Sequence, residues 1–128
     1  VFRGGRSEMP GDTAIAINMH HIFPESEYPE ISFYLENLIA LTPNQHTIEA
    51  HPRGVTTSIN RDYQHQCLIV KSDAIQENIV NGEEIIYSFG GFKFVLTTGL
   101  SDEAFMEIED GDYDGIKTKI GLAYAGCG

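Results

Sequence analysis

Apolar residues recur along this chain in short runs, and the runs are cut by dense turn signals. Thr13, Ile15, Ile17 and Met19 alternate with Ala14, Ala16 and Asn18, the period-two pattern of a half-buried strand. Ile22 to Glu30 carries two prolines and reads as a loop. Ile31 to Leu41 is ambiguous. Ile31, Leu35, Leu38 and Ile39 form a stripe at helical spacing, widened by Tyr34 and Leu41, and a helix is the preferred reading. The other reading is a strand pair turning near Glu36-Asn37. Thr47 to Ala50, Val55 to Arg61 and Tyr63 to Lys71 then read as strands.

Glu83 to Phe89 and Phe92 to Thr98 flank Gly90-Gly91. Two glycines both tolerate positive φ, as a type I′ hairpin turn requires, so this stretch predicts two paired strands. Asn81-Gly82 supplies another turn just before them. Ser101 is placed to cap a short helix led by Asp102 and Glu103, with a strand over Ala104 to Glu109 as the alternative. Ile116 to Tyr124 reads as a strand with Ile116, Thr118, Ile120 and Leu122 on one face. The expected fold is therefore mainly β: a sandwich or barrel-like arrangement of six to eight short strands with one or two short helices.

The 128 residues suit one domain with a core of its own. Val1 to Pro10 is polar and glycine-rich, and reads as a flexible N-terminal arm with no secretory leader; residues 11–128 read as the globular domain. The net charge of −11 argues against holding a phosphate backbone or an anionic membrane surface by charge alone, so neither nucleic acid nor membrane insertion is expected. No apolar run approaches the ~20 residues of a membrane span. Cys67 and Cys127 leave two readings open. One is a disulfide tying the end of the chain to mid-chain, and the other is a buried thiol at Cys67 with an exposed one at Cys127.

One motif has a physical mechanism behind it. Asp110-Gly111-Asp112-Tyr113-Asp114-Gly115 reads D-x-D-x-D-G and resembles the start of a calcium loop, as in EF-hands and in D-x-D-x-D-G loops outside them. Calcium takes hard oxygen ligands, and carboxylates at alternate positions of a curled loop converge on one centre. The resemblance implies Asp110, Asp112 and Asp114 as carboxylate ligands and the backbone carbonyl of Ile116 as a further one. It departs from the EF-hand at the twelfth position, which is Gly121 instead of glutamate. Seven acids lie between Asp102 and Asp114 with no basic residue among them, so a cation would relieve their repulsion. The competing reading is an acidic turn, because Asp and Gly are ordinary turn formers.

His20, His21, His46, His51 and His65 are the remaining chemistry-bearing candidates. His20-His21, with Glu25 and Glu27 nearby, offers the start of a transition-metal site, although no spacing enforces convergence of three or four ligands. Cys67 with His65 is the closest nucleophile–base pair, and neither a G-x-S-x-G nor a phosphate loop occurs. These patterns rank a non-enzymatic structural or adhesive module first, a subunit of a virion, tail, fibre or surface filament. It would be extracellular or on a virion surface, rigidified by calcium, and assembled with copies of itself or other protein subunits. An acidic inhibitor of immunity type, binding a basic partner, is the alternative. A small β-barrel enzyme or ligand carrier using histidines is the third.

Overall fold

The computed structural model describes residues 18–41 and 61–125. Its order is a hairpin followed by three helices. β1 (Asn18–His21) pairs antiparallel with β2 (Leu38–Leu41), Met19 opposite Ala40 and His21 opposite Leu38. Between them run 3-10 turns at Pro29–Ile31 and Leu35–Asn37. Helices α1 (Arg61–Asn81), α2 (Phe89–Leu100) and α3 (Tyr113–Ala125) follow, with a further 3-10 turn at Glu103–Glu107. The core joins both parts. Ile22, Phe23, Ile31, Ile39 and Leu41 from the hairpin meet Leu68, Ile75, Phe92, Leu96, Phe105 and Ile116.

The described chain is thus helical, and the expectation of a mainly β sandwich or barrel with six to eight strands is overturned. The segment Tyr63 to Lys71 is helix α1, not a strand. Its buried face is Gln64, Cys67, Leu68, Lys71, Ser72, Ile75 and Asn78, a three-to-four spacing written half in polar letters. Gln64, Lys71 and Asn78 are tolerated inside because their side chains are hydrogen-bonded, while the Ser72 hydroxyl is buried without a partner among the described residues. Lys71 Nζ donates to Tyr87 Oη at 2.9 Å and stands over that ring. Asn78 Oδ1 accepts from the N–H groups of Ile86 and Tyr87, and its Nδ2 donates to the Glu84 carbonyl at 2.8 Å. Val80 stays outside at 62 % exposure, so apolar letters alone mislead here.

The predicted hairpin over Glu83–Phe89 and Phe92–Thr98 is instead an irregular connection, extended at Ser88, followed by helix α2. Ser88 caps α2, its Oγ accepting the Gly91 N–H at 3.0 Å. Gly90 and Gly91 therefore open a helix instead of closing a turn. The predicted strand Ile116 to Tyr124 lies within α3. Tyr113, Ile116 and Ile120 face inward at helical spacing, while Leu122 is 69 % exposed, which breaks the alternation. Ile31 to Leu41 is not one helix. Its backbone turns at Leu35–Asn37 and enters β2. The short helical turn after Ser101 exists, but Asp102 caps it through the Ala104 N–H, and Ser101 closes α2 in the left-handed conformation. Residues 13–17, the predicted strand Thr47 to Ala50 and residues 55–60 of the predicted strand Val55 to Arg61 lie outside the described residues; Arg61, the last residue of that predicted strand, begins helix α1 instead.

Candidate functional site

The sixteen residues between β1 and β2 are held by one buried amide. Asn37 is fully buried. Its Oδ1 accepts the Phe23 N–H at 2.8 Å, and its Nδ2 donates to the carbonyls of Phe23 at 3.1 Å and Ile31 at 3.3 Å. Its own backbone carbonyl takes the Ile22 N–H at 2.7 Å, and its N–H donates to the Tyr34 carbonyl at 3.0 Å. A long loop buries backbone groups that must find partners, and this side chain serves both ends of it.

The helices grip the same loop. Gln64 on α1 donates from Nε2 to the Ile22 carbonyl at 2.9 Å, and its Oε1 accepts from Tyr124 Oη of α3 at 2.6 Å. The Phe23 ring lies so close to Gly99 of α2 that a Cβ there would overlap it. Glu36, 5 % exposed, accepts the Ser88 N–H at 2.7 Å through Oε2.

The product of this bracing is an oriented histidine at the end of β1. His21 Nε2 lies 3.1 Å from the Ser32 carbonyl. That oxygen can only accept, so Nε2 carries the proton and the neutral ring keeps its lone pair on Nδ1. Ser32 is itself pinned, with Oγ donating to the Pro29 carbonyl at 2.8 Å. A half-buried imidazole with one nitrogen committed to the backbone is what a general base or a metal ligand requires. Strand alternation sends His20, the next residue back, to the opposite face. Sequence reasoning noted His20-His21 but missed Asn37, which no local pattern distinguishes from an ordinary turn asparagine. His65, near the start of α1, stacks on Tyr124 with ring centroids 4.9 Å apart. Cys67 is fully buried on α1, and Cys127 lies outside the described residues, as do His46 and His51.

The acidic segment occupies another place. Asp110 is 76 % exposed at its side chain and pairs with Lys93 Nζ at 2.9 Å. Asp112 Oδ1 accepts the Gly115 N–H at 3.0 Å at the start of α3, and Gly115 leaves room for that carboxylate. Asp114 is exposed in the first turn of α3, and Ile116 is buried within the helix, its N–H donating to the Asp112 carbonyl at 3.0 Å. The positive charges that the sequence lacks locally arrive from other elements. Lys93 also donates to the Ile108 carbonyl at 2.8 Å, and Lys119 pairs with Asp102 at 3.2 Å. The Ala104 N–H and then Lys119 hold the Asp102 carboxyl below its ordinary value. Burial, and then the charge of Asp110, pushes the Tyr113 phenol up.

Among the described residues no group of three or more His, Cys, Asp or Glu side chains is placed to hold a metal ion. No described helix is long and apolar enough to cross a membrane. No protein-family model, curated protein or solved structure matches the chain.

Proposed function

We propose that this chain is a histidine-dependent hydrolytic domain, with His21 as its proton acceptor. The observation that carries the reading is the His21 Nε2 contact to the Ser32 carbonyl, inside a loop that Asn37 clamps from both ends. In this reading Nδ1 takes a proton from water as the water oxygen attacks an electrophilic carbonyl or phosphoryl centre; the bond from that centre to its ester oxygen then breaks, and the imidazolium returns the proton to the departing oxyanion. Pre-orientation of the ring supports the role, because a base must hold its lone pair toward the reacting proton before the reaction begins.

The structural-module expectation drew on a β-rich chain, an absence of catalytic motifs, a polar N-terminal arm and a calcium loop, and the helical fold removes the first of these. The reading is tested with full-length protein on two chromogenic probes, a nitrophenyl ester and a bis-nitrophenyl phosphodiester. Each is assayed with EDTA and with magnesium, manganese or zinc. Turnover of one probe that falls by about 100-fold in His21→Ala is expected, the usual scale for loss of a general base. Turnover of neither probe, or turnover untouched by His21→Ala, contradicts the reading.

A further inference from the structure

We propose that Glu36 is the positioning residue of the His21 site, its buried carboxylate fixing the hairpin loop on the first turn of α2. This rests on the reading of His21 as the base. Three observations converge on Glu36. Its Oε2 takes the Ser88 N–H at 2.7 Å, a short charge-assisted bond at the positive end of a twelve-residue helix. A Cβ at Gly91 would stand only 3.1 Å from its Oε1, so the glycine leaves the room in which the carboxylate sits. Glu36 is also joined covalently to Asn37, whose amide binds Phe23, two residues after His21, and Ile31, one residue before Ser32. Any displacement of the Leu35–Asn37 turn therefore reaches both partners of the His21–Ser32 contact.

The hydrogen-bonding oxygen has a reason in this arrangement. An apolar side chain could hold the hairpin against α2 equally well, but it would allow sliding along the helix. A buried carboxylate is expensive unless hydrogen-bonded, so it admits only the seat where the backbone N–H groups of the helix end point at it. α2 carries two glycines in its first turn, Gly90 and Gly91, although glycine is a poor helix former. Gly91 is explained by the space the carboxylate needs.

The test reads the ring-nitrogen chemical shifts of His21 in the full chain, for the wild type and for Glu36→Ala, Glu36→Gln and Gly91→Ala. Glu36→Ala is expected to replace the single Nε2–H tautomer by a mixture, while His65, on α1, keeps its signals. Glu36→Gln keeps an acceptor for the Ser88 N–H and should retain the wild-type tautomer. Gly91→Ala should move the same His21 signals in the same direction, by less. Unchanged His21 signals in folded Glu36→Ala overturn the proposal; if that variant does not fold, unchanged signals in Gly91→Ala overturn it. The tautomer is read without any substrate. A His21 that responds to Glu36 yet carries no turnover would retire the base reading and leave the positioning intact.

Discussion

At the residue scale, the D-x-D-x-D-G segment shows how one spacing serves two kinds of chemistry. Alternate carboxylates before a glycine suit a cation loop, and they equally suit a helix start. Asp112 accepts the Gly115 N–H, and Asp110 meets Lys93. The local signal was legible, because Asp and Gly do mark a sharp turn at this point, with Gly111 at φ 91°. The partners were not legible, since Lys93 and Lys119 come from other elements. Asp112→Ala is expected to lower stability by about 1 kcal/mol through loss of the cap, equally in EDTA and in calcium. Denaturant unfolding of the variant under both conditions checks this. A loss confined to calcium would transfer the role of Asp112 to cation binding.

At the element scale, the helices were hidden by what they bury. The inward face of α1 includes Gln64, Lys71, Ser72 and Asn78, so its helical period is absent from a hydrophobic pattern. Gln64 and Lys71 bond to partners outside α1, Ile22 and Tyr87, and Asn78 bonds to the backbone of Glu84, Ile86 and Tyr87 just beyond the helix. In α2 nearly every position is apolar or glycine, and a continuous apolar run does not distinguish strand from helix. The loop after β1 was legible from its prolines, but its clamp was not, because nothing in the sequence marks Asn37 as buried. Asn37→Ala removes three hydrogen bonds and strands backbone groups of Phe23 and Ile31 in the core. A loss of about 3 kcal/mol is expected in urea unfolding. A loss below about 1 kcal/mol would mean that the loop is held by its other contacts.

At the scale of the whole molecule, the helices act as a mount for the hairpin. α1 and α3 reach it through the Gln64–Tyr124 pair, and α2 reaches it at both ends, through Glu36 at Ser88 and Phe23 at Gly99. A two-stranded hairpin alone is marginal in water, so its precision is borrowed from these contacts. What the mount delivers is the orientation of one imidazole. The most direct measurement is therefore the pair of ring-nitrogen chemical shifts of His21 in the wild-type chain, at a pH where the ring is neutral. A protonated, pyrrole-type Nε2 with a bare, pyridine-type Nδ1 is the predicted result. A reversed tautomer, or two averaged nitrogens, would contradict the claim that the fold holds this histidine ready as a base.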